Sequence, residues 1–194
     1  MRLREGAGDR EAERQVSAAS QLKAAIRSIP DYPKKGIVFR DLTTIWKDGK
    51  LMKMTTDLLY ERYRGRGIDK ILGIEARGFI VGAPLADRLA VGFVPARKLG
   101  KLPSKKLTME YQLEYGRQGL EVHRDSISRG ERVLIVDDLL ATGGTSSAAV
   151  KLVERLGGTV DGFAFIVELA FLGGRRKLKG YDVYSIVTYL SEED

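Results

Sequence analysis

From residue 70 onward the chain alternates short, continuous apolar runs with segments of helical period. Lys70-Ile71-Leu72-Gly73-Ile74, Gly92-Phe93-Val94-Pro95-Ala96, Arg132-Val133-Leu134-Ile135-Val136 and the run 162–169 predict buried strands. Phe79–Ala90 and Ser146–Leu156, which lie between them, predict helices. Runs rich in branched apolar residues that alternate with helices imply a parallel sheet covered on both faces. The expected fold class is therefore a doubly wound, mostly parallel α/β sheet flanked by helices, which binds ligands at the carboxyl ends of its strands.

Upstream, the spacing of Val16, Ala19, Leu22, Ala25 and Ile26 predicts an amphipathic helix that ends at the Pro30 and Pro33 turn, and a second helix is expected over Leu51–Tyr63. Residues 1–15 carry charge without an apolar period and are expected to form a flexible extension. Lys98–Ser128 combines strand-like patches, Lys106–Tyr111 and Gly119–His123, with Pro103, Gly116 and Gly119, as a mobile hairpin or lid would. No fixed-period repeat or linker interrupts the pattern, so residues 16–194 are expected to form one domain.

Composition narrows the chemistry. The absence of cysteine excludes a disulfide scaffold, a thiolate nucleophile and Cys-ligated metals. The longest apolar stretch, Phe163–Leu172, is interrupted by Glu168 and falls far short of the roughly 20 residues that span a bilayer. The charged opening residues lack the apolar core of a signal peptide, and a cytoplasmic location without membrane association is the expectation. A net charge of +7 suits nucleic acid or small phosphates. The basic residues are densest at Arg97–Lys106 and Arg175–Lys179 without interleaved aromatic rings, so no nucleic-acid partner is expected.

The most informative segment is VLIVDDLLATGGTSSAAVKLV, residues 133–153. It reads as a buried strand ending in Asp137 and Asp138, a loop over Leu139–Thr145, and a helix opening at Gly144–Ser146. Gly143 and Gly144 allow backbone N–H groups to converge, and Thr142, Thr145 and Ser146 add hydroxyl donors at the positive end of the helix dipole, which makes a phosphate cradle. A nucleotide-hydrolase loop would carry a Lys after its glycine, and none is present. Two carboxylates beside an anion cradle would repel a phosphate set between them, so a hydroxyl-rich group belongs at the acidic end. A ribose 5-phosphate meets both demands, with its vicinal diol on Asp137 or Asp138 and its phosphate on the loop. Because successive strand residues face opposite ways, the two aspartates can serve different roles.

VLIVDDLLATGGT resembles the phosphoribosyl diphosphate motif of type I phosphoribosyltransferases. The resemblance runs over about residues 22–190, through Ile29-Pro30-Asp31-Tyr32-Pro33, Gly36-Ile37-Val38-Phe39-Arg40-Asp41, Glu75-Ala76-Arg77-Gly78-Phe79, Arg97-Lys98-Leu99-Gly100-Lys101-Leu102-Pro103 and Leu113-Glu114-Tyr115-Gly116. It implies a hood at about 28–46 and a lid at about 98–128 on the parallel sheet. It implies that Asp137, Asp138, Ala141, Thr142, Gly143, Gly144 and Thr145 hold the ribose and 5-phosphate, and that Arg77, Arg97, Lys98 and Lys101 hold the diphosphate. Val38, Phe39, Arg40 and Leu139 would form the base site, with Phe39 stacking on a flat heterocycle. Glu114 would be the acid/base group, covered by Tyr115. No protein ligand is assigned to a metal; Mg²⁺ would arrive with 5-phosphoribosyl 1-diphosphate. The implied reaction converts adenine and that donor to AMP and diphosphate, as in purine salvage, in a homodimeric enzyme.

His123, the single histidine, is expected to have no catalytic or metal role, and Trp46 is expected in core or interface. Three rival readings are a 6-oxopurine phosphoribosyltransferase, a non-catalytic regulator that senses the diphosphate and binds DNA or RNA, and a phosphosugar-binding structural protein. The regulator would need a nucleic-acid module for which residues 1–15 are too short, and neither the regulator nor the structural protein would need Glu114.

Overall fold

The computed structural model describes residues 5–113 and 116–194; the side chains of 5–12, 14, 112–113 and 116–117 are not described. In chain order the elements are α1 (Glu5–Ala25), β1 (Arg27–Ile29), β2 (Phe39–Asp41), α2 (Thr43–Trp46), α3 (Gly49–Tyr63), β3 (Lys70–Ile74), α4 (Arg77–Leu89), β4 (Gly92–Lys98), β5 (Lys106–Leu113), β6 (Gly116–His123), β7 (Arg132–Leu140), α5 (Gly144–Arg155), β8 (Thr159–Leu169) and β9 (Val183–Tyr189). Two short 3₁₀ turns, Ala170–Leu172 and Gly174–Leu178, link β8 to β9.

One sheet has the order β5-β6-β4-β3-β7-β8-β9. Strands β4, β3, β7, β8 and β9 are parallel, whereas β6 joins β4, and β5 joins β6, antiparallel. The central sheet is thus mixed, and its antiparallel part is the hairpin expected within 98–128. Alternation along each central strand divides the core between two faces. Leu72, Val133, Ile135, Phe163 and Phe165 pack beneath α5 residues such as Ala149 and Leu152. Their neighbours Ile71, Leu134, Val136, Ala164 and Ile166 pack with Leu22, Leu59, Val81 and Leu85 of α1, α3 and α4. A strand buried on both faces has no polar side, which is why these runs are continuously apolar.

The structure departs from the sequence reading in three places. Helix α1 begins at Glu5, well ahead of Val16, because the Glu-, Ala- and Arg-rich opening has high helix propensity without an apolar stripe. Strand β7 continues through Leu140, where Leu139 pairs with Val167 and Leu140 with Glu168, so Asp137 and Asp138 lie inside the strand and not at its end. Strand β9 was not anticipated; its sequence VYSIVTY mixes polar and apolar positions because it closes one edge of the sheet. A separate ladder pairs β1 with β2, Ile29 opposite Phe39. Trp46 packs against the core cluster on the α1, α3 and α4 face, and His123 pairs with Lys106 in the hairpin.

Candidate active site

The chain leaves β3 toward β4 on one side and later returns to β7 on the other, so the winding direction reverses at β3. Open α/β sheets form ligand crevices at the carboxyl ends of strands flanking such a reversal. A cleft of about 390 Å³ lies there, lined by Glu75, Arg77, Lys98, Tyr111, Asp137, Asp138 and Thr145, among others. A larger hollow of about 560 Å³ between α1, α3 and α4 is lined by Met54, Leu58 and Lys53 and by the paired Asp57 and Arg88. Lys53 and Arg88 there both pair with Asp57 and the lining comes from helices alone, whereas the smaller cleft lies at the strand ends where ligands bind.

The acidic pair is the most perturbed feature of that cleft. Burial drives the Asp137 carboxyl well above the usual carboxylate range, and the charge of Asp138 adds to the shift. Burial also raises Asp138, with the nearby Arg77 guanidinium opposing the change. The Asp137 carboxylate accepts from the Asp138 backbone N–H at 2.9 Å. Arg77 Nε lies 3.0 Å from Asp138 Oδ2 as an ion pair. The approach is out of line for a hydrogen bond, and this buried oxygen has no donor among the described residues. A carboxylate oxygen left this way costs about 1–3 kcal/mol or more until a donor reaches it.

The cradle follows three residues beyond the pair. Gly143 precedes α5 with φ of 74°, a left-handed conformation that a glycine adopts without strain. Among the described residues no side chain caps this helix, which leaves its leading amides without a side-chain acceptor. Thr145 Oγ1 donates to the Tyr111 hydroxyl at 3.1 Å, tying the loop to the hairpin.

The diphosphate candidates converge because β3 lies between β4 and β7. Arg77 opens α4 directly after the cis Glu75–Ala76 peptide. Glu75 Oε2 accepts from Arg97 Nε at 2.9 Å and from the Lys98 backbone N–H at 2.7 Å. Burial works against the Glu75 charge, but these donors and the charges of Arg97 and Lys98 hold its carboxyl below the usual range. Arg97 is therefore engaged by Glu75, while Lys98 reaches the cleft and Lys101 is exposed on the turn beyond it.

At the base end, Arg77 also places its guanidinium 5.8 Å from the Phe39 ring centroid, so Phe39, Arg77 and Asp138 form a continuous path. Tyr32 packs edge-on against Phe39 at 5.4 Å, and Leu139 is half-buried. Arg40, expected at the base site, follows Phe39 on β2. Only 4% exposed, it donates to Ser28 Oγ at 2.6 Å and to the Glu192 carbonyl at 2.7 Å, and it stacks on Tyr189 at 4.0 Å. Its side chain thus ties β2 to β1 and to the segment after β9. The Val38 backbone N–H donates to Glu192 Oε2 at 3.1 Å. Glu114 and Tyr115 lie outside the described residues. The sequence reading does not single out Tyr111, Gln118 or Glu192; the first two face each other across β5 and β6, where inward and outward positions look alike without the register.

A model of the phosphoribosyl transferase domain matches residues 43–193. The chain belongs to the phosphoribosyltransferase family. It is 55% identical over 169 residues to the adenine phosphoribosyltransferase of Thermoanaerobacter pseudethanolicus, covering 87% of this chain and 98% of that one. The crystal structure of the adenine phosphoribosyltransferase from that organism superposes with a TM-score of 0.85 at 54% identity, covering 88% of this chain and 99% of that one. The Saccharomyces cerevisiae adenine phosphoribosyltransferase, solved with an iminoaltritol bisphosphate and adenine, superposes with a TM-score of 0.83 at 40% identity, covering 88% and 99%. Among the described residues no helix is long and apolar enough to cross a membrane.

Proposed function

We propose that this chain transfers the 5-phosphoribosyl group from 5-phospho-α-D-ribose 1-diphosphate to adenine, giving AMP and diphosphate. The observation that carries the reading is the buried Asp138 Oδ2, without a hydrogen-bond donor and close to an uncapped helix N-terminus. A ribose hydroxyl supplies the donor, and the 5-phosphate takes the open amides at Ala141–Thr145. The 55% identity to a relative named adenine phosphoribosyltransferase favours adenine over a 6-oxopurine.

In the reaction the C1–oxygen bond to diphosphate breaks and a bond from C1 to the imidazole nitrogen of adenine forms, through a cationic, oxocarbenium-like sugar. Arg77 and Lys98 neutralise the departing diphosphate, with Arg97 and Lys101 joining them as the site fills. Asp137 and Asp138 place two carboxyls beneath the developing positive charge. The Val38 backbone and the Phe39 face hold the base, and Leu139 lines its other side. Glu114 receives the proton that adenine loses from its imidazole ring, and Tyr115 covers the site as the 98–128 segment closes against water.

Among the described residues no three acidic or histidine side chains cluster as a metal cage. Two adjacent carboxyls suit a magnesium ion that keeps its waters and arrives on substrate oxygens. When bound, Mg²⁺ supplies charge neutralisation for the diphosphate. A homodimer in the cytoplasm completes the proposal, on the strength of the family resemblance.

The test is diphosphate release from the phosphoribosyl donor and Mg²⁺ with adenine, hypoxanthine, guanine or uracil, comparing wild type with Glu114→Ala and Asp137→Ala. Release that depends on adenine and is lost in both variants supports the reading. Preference for another base overturns the substrate, and no release with any base overturns the activity.

A further inference from the structure

The cradle at Ala141–Thr145 contains two adjacent glycines, and such a segment does not hold its amides in one geometry unaided. What lies behind it is the turn that follows β8. A Cβ on Gly174 would fall 2.2 Å from the Ala141 carbonyl oxygen and 3.0 Å from the Gly143 nitrogen. Reciprocally, a Cβ on Gly143 would fall 2.5 Å from the Gly174 carbonyl oxygen. The two backbones therefore touch with no side chain between them, and only glycine at both places permits the approach.

The turn that supports the loop is itself clamped. Glu168, 4% exposed near the end of β8, accepts from Arg175 Nε at 2.9 Å and from its Nη2 in a two-pronged pair. Arg175 Nη1 donates to the Val183 carbonyl at 2.8 Å, and Ser185 Oγ donates to Glu168 Oε2 at 3.1 Å. The planar guanidinium thus fixes Gly174 relative to both β8 and β9. Leu140, the last residue of β7, pairs with Glu168, so strand, clamp and loop share one register.

We infer that Gly174, Glu168 and Arg175 are positioning residues for the phosphate subsite: they hold the Ala141–Thr145 backbone at the height at which its amides meet the 5-phosphate of the sugar. None of the three lines the cleft. The inference rests on the proposed function and assigns to this turn a role that the loop's own residues cannot fill. Phosphate affinity depends steeply on amide alignment, so a displacement of under an ångström at Gly143 weakens this end of the site alone.

The experiment is calorimetric titration of ribose 5-phosphate and, separately, of inorganic diphosphate into wild type, Gly174→Ala and Arg175→Lys, with KM and kcat measured for both substrates. The expected result for Gly174→Ala is a ribose 5-phosphate Kd weakened about tenfold or more, the equivalent of one charged hydrogen bond. Its diphosphate Kd and adenine KM stay at the wild-type values. Arg175→Lys, which keeps the charge and loses the two-pronged fork, moves the same constant in the same direction by a smaller factor. If Gly174→Ala does not fold, the lysine variant carries the test. Equal weakening of both ligands, as a general loss of structure would give, overturns the inference, and so does an unchanged ribose 5-phosphate Kd. A wild type that binds diphosphate but no ribose 5-phosphate removes the functional reading first and the inference with it.

Discussion

The two ends of the cleft are built by different means. The phosphate end grows out of β7, a strand buried on both faces with neighbours on both sides, and its loop is pressed between α5 and the Gly174 turn. The base end stands on a ladder of three register pairs, held by side chains that meet across the whole chain: Arg40 with Ser28, Tyr189 and Glu192, and Val38 with Glu192. The amides proposed for the phosphate sit on backbone whose place is set by the core. The segment proposed for the base is a short ladder fastened to buried Tyr189 and to Glu192 by side chains.

Substitutions that separate the two ends test this contrast. The largest effect is expected for Asp138→Ala, which removes the acceptor at the hinge between them: kcat/KM falls about a hundredfold, as two lost charged hydrogen bonds would give. Steady-state kinetics with each substrate varied in turn would show it, and near-normal turnover would mean that the pair serves the fold only. Next, Arg40→Ala should cost about 2 kcal/mol of stability in urea unfolding, since it removes two bonds from a buried guanidinium. The KM for adenine should rise while that for the phosphoribosyl donor stays put; a rise in both would erase the distinction between the ends.

Asp137 gives a pH test with a defined sign. Its folded-state pKa is raised well above the ordinary value of 3.8, first by burial and then by Asp138. The folded protein therefore keeps a proton that the unfolded chain releases, and stability declines as pH rises from about 4 until the raised pKa is passed. Asp137→Asn abolishes that decline. Its Tm should match wild type near pH 4 and exceed it at pH 8, with about 2–4 °C for each kcal/mol, while activity is lost. Parallel Tm curves across the range would show that the carboxyl is ionised at no cost. The smallest effect is expected for Lys101→Ala, an exposed cation: about a twofold rise in donor KM that vanishes at high salt, with unfolding unchanged.

The same contrast decides what could be read from the sequence. Val133–Val136 and Ile71–Ile74 predict their strands because burial on both faces leaves no other pattern, and Gly143-Gly144-Thr145 marks the turn into α5, where the left-handed Gly143 stands. Arg40 resembles a ligand residue in sequence, but its partners lie at Ser28 and beyond Tyr189, and no local period reveals them. Tyr111 reaches Thr145 only through the antiparallel register of β5 and β6. Glu168 interrupts an apolar run and looks like a flaw until Arg175 is seen opposite it.

The hairpin of β5 and β6 joins the parallel strands through two register pairs, Arg97 with Glu121 and Lys98 with Leu120. This narrow seam falls at two of the cations proposed for the leaving group. Lys98 pairs with Leu120 of the hairpin while Glu75 accepts from its backbone amide. The residues proposed to hold the diphosphate are therefore the same ones whose backbone joins the hairpin to the parallel strands.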